Sequence, residues 1–122
     1  MPAALLGSVG PALTEAGMLV GAQDVSRFGP GAHTGETTAE VLAELGCRLV
    51  MIGHPERARD QHETLDDCRG KATAAARNGI VPVLIAGEPT RGADMPDGIF
   101  LGRGGLAPEN FLATVDEVRS AS

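Results

Sequence analysis

Arg48-Leu49-Val50-Met51-Ile52-Gly53-His54-Pro55-Glu56-Arg57 passes from an apolar run to polar and charged residues across a single glycine. Arg48 to Ile52 shows no polar alternation, which marks a strand covered on both faces, as in a parallel sheet. His54 then stands just past the carboxyl end of that strand, the end at which parallel α/β folds carry their sites. Pro55 sits where a helix would start, fixes its own backbone and removes an N–H donor there.

Similar runs recur outward from this one. Met18 to Val25, Val81 to Ala86 and Ile99 to Leu101 read as further strands. Helical patterns lie between them, and the alternation predicts parallel α/β structure with about four parallel strands. Thr37 with Glu40 predicts a capping box ahead of Val41, Leu42 and Leu45, with Gly46 at the helix end. Thr64 with Asp67 predicts a second one, opening a helix whose apolar face is Leu65, Cys68, Ala72, Ala75 and Ala76 and which ends at Gly79. Lys71 falls on that helix, away from the strand ends. Pro108 suits a first helical position before the stripe Phe111, Leu112, Val115 and Val118. At the N-terminus, Leu5, Leu6, Val9 and Leu13 share a helical face that Gly7, Gly10 and Pro11 interrupt. The connection between Ala86 and Ile99 carries Pro89, Gly92, Pro96 and Gly98, and is barely long enough for a parallel crossover.

Composition narrows the classes. A chain of 122 residues with 43% apolar content is expected to form a single domain, residues 1–122, with an ordinary core. There is no Trp or Tyr and only three Phe, so Ala, Val, Leu and Ile must fill that core. A net charge of −6 and scattered arginines argue against nucleic acid or an anionic membrane as partner. Cys47 and Cys68 have neither metal-ligand nor CxxC spacing, and two reduced thiols are expected. No apolar run approaches membrane length and no signal pattern opens the chain, so a cytoplasmic location is expected.

Four motifs in order carry a more specific signal: Gly21-Ala22-Gln23-Asp24-Val25-Ser26, Thr34-Gly35-Glu36, Ile52-Gly53-His54-Pro55-Glu56-Arg57 and Pro82-Val83-Leu84-Ile85-Ala86-Gly87-Glu88. Their spacing resembles that of triosephosphate isomerases from about Leu19 to Glu88, and a weaker match runs from Asp97 to Val118. The resemblance implies a partial (β/α) barrel, with the linker after Ala86 replacing several family elements. No counterpart of the family's catalytic Glu, or of its N-terminal Asn and Lys, is seen.

Residue by residue, the resemblance makes His54 the catalytic electrophile, a neutral imidazole at a helix N-terminus; that is a family property, not one read from this chain. Pro55 replaces the usual Ser at the helix start that should donate to it. Glu56, Arg57 and Glu63 match supporting residues, and an ion pair of Arg57 with Glu63 or Glu36 is expected. Thr34, Gly35 and Glu36 match the family's dimer loop; an ordinary turn is the other reading. Gly102, Arg103, Gly104 and Gly105 match the phosphate loop, where backbone N–H groups can hold an anion. Arg103 stands in place of a family glycine, and a strand-to-helix turn without ligand remains the alternative. Glu88 matches an acidic residue after a strand, while His33 and His62 are expected in solvated loops.

The implied partners are a small phosphorylated or anionic metabolite and a second copy of the chain, with no metal and no cofactor. The implied reaction interconverts glyceraldehyde 3-phosphate and dihydroxyacetone phosphate, at very low or no rate for want of the base. The alternative is a non-catalytic phosphate-ligand binding or regulatory module. A homodimer would complete the barrel; otherwise the N-terminal helix of the same chain would cover the open sheet.

Overall fold

The computed structural model describes residues 1–85, together with Leu112 and Asp116. In chain order the elements are α1 (Ala3–Glu15), β1 (Gly21–Ala22), α2 (Ala39–Glu44), β2 (Leu49–Ile52), α3 (Pro55–Gln61), α4 (Leu65–Arg77) and β3 (Val81–Leu84). The three strands form one parallel sheet in the order β1-β2-β3. Leu49 is aligned with Gly21 on one side and Val81 on the other, and Val50 with Ala22 and Pro82.

This is the parallel α/β architecture that the alternating runs predict, with a shorter first strand. Of Met18 to Val25 only Gly21 and Ala22 form ladder pairs, because Met18 and Leu19 lie exposed before the sheet begins. Beyond the ladders, the Arg48 amide donates to Val20 O (2.8 Å) and the Ile85 amide to Ile52 O (2.8 Å). Three strands, not four, lie among the described residues. The expected strand Ile99 to Leu101, the Gly102 to Gly105 loop, Glu88 and the start of the helix at Pro108 lie outside them.

Side chains alternate across β2. Val50 and Ile52 are fully buried beneath the helices, with Leu6 of α1, Leu42 of α2 and Ala75 of α4 in one cluster. Leu49 and Met51 face the other way and are half-buried, and their neighbour Val81 on β3 is 57% exposed. One sheet face is therefore apolar and incompletely covered. The N-terminal helix does not cover it. Despite Gly7, Gly10 and Pro11, α1 runs unbroken and packs on the helix side, where Gly7 faces Leu45 and Gly10 faces Leu45 and Val20.

The helix starts differ from expectation in one case. The capping box at Thr64 forms: Asp67 N donates to Thr64 Oγ1 (3.1 Å) and Thr64 N to Asp67 Oδ2 (2.9 Å). At α2 the cap is Thr38, one residue later than Thr37, and accepts from Val41 N. Glu40 is thereby placed to accept from Asn78 Nδ2 (3.3 Å) at the end of α4. The face of α4 also departs from expectation. Leu65 and Ala76 are exposed, and Lys71 is buried in their stead.

Candidate functional site

His54 is the N-cap of α3, reached from β2 through Gly53, whose φ is +78°. That left-handed conformation turns the chain sharply enough to start a helix immediately after a strand, and it suits glycine. His54 Nδ1 accepts a hydrogen bond from Glu56 N (3.3 Å), and His54 O accepts from Arg57 N (2.8 Å). The expectation that Pro55 deprives the histidine of its donor is corrected here. Proline occupies the first helical position, where its missing N–H is not needed, and the next amide supplies the bond. With Nδ1 accepting, the hydrogen of the neutral ring resides on Nε2, which is left as a donor. Glu56 Oε2 lies 3.6 Å from the same Nδ1, beyond hydrogen-bond range.

His54 lines a cleft of about 370 Å³ with Gln23, Asp24, Met51, Glu56, Arg57, Asp60 and Gln61. The carboxyl ends of β1 and β2 thus meet the first turn of α3. Behind the cleft lies a cluster that sequence reasoning found only in part. Arg57 Nε binds Glu63 Oε2 (3.0 Å), and Arg57 Nη2 binds Asp24 Oδ2 (3.1 Å). Lys71 Nζ binds Asp24 Oδ1 (2.6 Å) and Glu63 Oε2 (2.5 Å). Lys71 therefore does reach a strand end, since its long side chain carries the ammonium back from α4 to Asp24, two residues past β1. Cys68 Sγ lies 3.4 Å from Glu63 Oε1.

The electrostatics follow from this arrangement. Burial alone would raise the Glu63 carboxyl, but hydrogen bonds from Lys71 and Arg57 hold it below the usual range. Burial alone would lower the Lys71 ammonium, and its bonds to Asp24 and Glu63 raise it instead. Burial pushes the Cys68 thiol up, and the neighbouring Glu63 carboxylate adds to this, so it is not a ready nucleophile. Cys47 and Cys68 are both free thiols.

Thr34, Gly35 and Glu36 form an exposed turn beside the same region, with Gly35 at φ +88° and Glu36 N bonded to His33 O (3.0 Å). They line a neighbouring hollow of about 420 Å³ with Asp24 and Arg57. His33 is more than a solvated loop residue: its ring stacks on Phe28 at 4.3 Å between centroids. His62 ends α3 in the left-handed conformation, φ +54°. Arg27 ties the same loop to the start of α4 through Asp66 and Asp67.

His54, Glu56 and Arg57 are thus brought to one cleft, and Glu63 stands behind it. Asp24 and Lys71 were not singled out as site residues. Lys71 had a visible signal, as a lone lysine between Cys68, Ala72 and Ala75 on an otherwise apolar helix face. Among the described residues no group of three His, Cys, Asp or Glu side chains is arranged to hold a metal ion. No helix among them is long and apolar enough to cross a membrane.

Comparison with known proteins sets this geometry in context. The family model described as triosephosphate isomerase matches residues 1–96. The triosephosphate isomerase of Alkalilimnicola ehrlichii is 44% identical over 80 residues, covering 66% of this chain and 32% of that protein. That of Corynebacterium glutamicum is 48% identical over 69 residues, covering 57% of this chain and 27% of its own length. The solved structure of triosephosphate isomerase from Bartonella henselae superposes with a TM-score of 0.69 at 35% identity, over 72% of this chain and 37% of the other. The chain spans about a third of the length of these relatives.

Proposed function

The chain belongs to the triosephosphate isomerase family, and from that premise we propose that its cleft binds a small phosphorylated carbonyl compound of the triose phosphate class. The observation that carries the proposal is the bond from Glu56 N to His54 Nδ1, which leaves Nε2 free to donate to a substrate carbonyl oxygen. Resemblance assigns the phosphate to Gly102, Arg103, Gly104 and Gly105, and a supporting role to Glu56, Arg57 and Glu63. Isomerisation further needs a base that moves a proton between adjacent carbons. The family's catalytic Glu has no counterpart in the sequence, so turnover by this chain is many orders of magnitude below that of full-length relatives.

A homodimer is part of the proposal, joined through Thr34, Gly35 and Glu36 and covering the open face of the sheet. The single-domain extent, residues 1–122, and a cytoplasmic location complete the reading. The proposal is tested by a coupled isomerase assay at high protein concentration, alongside a titration with dihydroxyacetone phosphate followed by amide NMR. Binding shifts at His54 and Glu56 with negligible turnover are expected. Turnover within roughly tenfold of an ordinary enzyme, about 10 per second, overturns the low-activity reading. No shifts at millimolar ligand overturn the binding reading.

A further inference from the structure

We infer that Asp24 is a positioning residue for His54, acting through a closed ring of alternating charge; the inference rests on the reading of His54 as the site's hydrogen-bond donor. The ring runs Asp24–Lys71–Glu63–Arg57 and back to Asp24, with contacts of 2.6, 2.5, 3.0 and 3.1 Å. Each charge touches two of the opposite sign and none is left over, so the four sum to zero. Two members are almost wholly buried: the side chains of Lys71 and Glu63 are 6% and 4% exposed. At such depth a balanced ring is tolerable, and an unbalanced one is costly.

Asp24 differs from the other three in where it comes from. Arg57, Glu63 and Lys71 belong to one continuous stretch, α3 through α4, whereas Asp24 follows β1. Its two carboxylate oxygens divide the work, Oδ1 to α4 through Lys71 and Oδ2 to α3 through Arg57. Arg57 in turn donates its amide to His54 O, in the same helical turn whose Glu56 amide holds Nδ1. Asp24 is thus two contacts from the His54 carbonyl, in the turn whose Glu56 amide holds the imidazole. Without its charge, Arg57 and Lys71 would both rely on the single oxygen Glu63 Oε2, and two cations would crowd one acceptor. The first turn of α3, and with it the orientation of His54, would lose its tie to the β1 side. Arg27 provides a useful contrast, since it joins the same loop to Asp66 and Asp67 without touching α3.

The test uses the full chain without ligand, so its outcome is separate from whether any metabolite binds. Ring ¹⁵N resonances of His54 and the amide resonances of Glu56 and Arg57 are recorded for the parent, D24N, R27Q and the double variant D24N/K71M. The parent is expected to show the tautomer with hydrogen on Nε2. D24N is expected to move the two ring nitrogens toward each other and to shift both amides, while R27Q leaves them in place. Urea unfolding of D24N, K71M and D24N/K71M closes a double-mutant cycle. The double variant, neutral again, is expected to lose less stability than the two single losses added. Should D24N fail to fold, recovery of a folded D24N/K71M supports the ring, and failure of both to fold overturns it. Unchanged His54 and Glu56 resonances in D24N, or strictly additive losses, also overturn it.

Discussion

Gly53→Ala tests the turn that delivers His54 to the cleft. Two terms oppose the added methyl. The first is conformational: at φ +78° an L-residue carries the left-handed penalty of about 1–2 kcal/mol. It is offset in part because alanine has less freedom to lose than glycine, an effect of about 0.4–1 kcal/mol. The second is steric. A Cβ at this position would lie 3.3 Å from Leu84 Cδ1, and 3.5 Å from both Cys68 Sγ and Ile85 O. Leu84 is half exposed and can yield, but the Ile85 carbonyl is held in the sheet region by its own amide's bond to Ile52 O. Overpacking of this mild kind adds about 1 kcal/mol. The total is about 2 kcal/mol, against about 1 kcal/mol for Gly35→Ala, where φ is +88° but nothing lies within 4 Å. Urea denaturation of both variants measures the difference, and thermal midpoints should separate by about 4 °C. Gly53→Ala should also shift the Glu56 amide, because it moves the N-cap. Equal losses at the two positions would refute the packing argument around Gly53, and no loss at either would refute the left-handed turns themselves.

Stability is expected to fall on both flanks of neutral pH. The Glu63 carboxyl is depressed by its cations, so its contribution is present above the unfolded carboxyl value and is lost as pH falls through the folded one. The Lys71 ammonium is raised above its ordinary 10.5, so its contribution is complete below that value and is lost as pH rises through the folded one. Urea midpoints against pH check both, and K71M should reduce the alkaline loss, with the raised Cys68 thiol still contributing to it. Thr64→Ala removes the cap that Asp67 completes and should cost about 1 kcal/mol, with Thr64→Ser largely retaining it. The Asp67 carboxyl, held at about 2 chiefly by hydrogen bonds from Thr64, should titrate upward in Thr64→Ala by carbon NMR. Sedimentation equilibrium at micromolar concentration should find a dimer, and a folded 12.5 kDa species alone would reject the assembled barrel.

What could be read in advance depended on whether a residue's partner lies nearby in sequence. Thr64 and Asp67 cap one helix three residues apart, and that box was legible from spacing alone. So was the strand around Val50, from its unbroken apolar run, although only the Val50 and Ile52 face is fully buried and Leu49 and Met51 are half-buried rather than covered as that run implied. Thr37 and Thr38 offered the same chemistry one residue apart, and tertiary packing of Ala39 and Leu42 chose the later one. The Arg57–Glu63 side of the ring, six residues apart, was likewise legible, but its closure was not: Asp24 and Lys71 are 47 residues apart, and only the fold sets them 2.6 Å from each other. Met18 and Leu19 mislead because their hydrophobicity resembles that of a strand, although both are exposed.

The described carboxylates around His54 are each committed in a way that bears on its chemistry. Glu63 meets two cations, which disfavours taking up a proton, and both oxygens of Asp24 are already engaged by Lys71 and Arg57. Asp60 is gripped by Arg59 through both oxygens, at 2.6 and 2.8 Å, and that bonding lowers its carboxyl pKa. Glu56 is the remaining carboxylate lining the cleft, but it approaches Nδ1, on the far side of the ring from the donor Nε2. A carbonyl polarised by Nε2 would therefore find no described carboxylate suited to take a proton from the adjacent carbon. On the proposed reading, the described residues would supply the hydrogen-bond donor of an isomerase mechanism and not its base. Among the described residues, this is the arrangement that supports the proposed reading of binding without turnover.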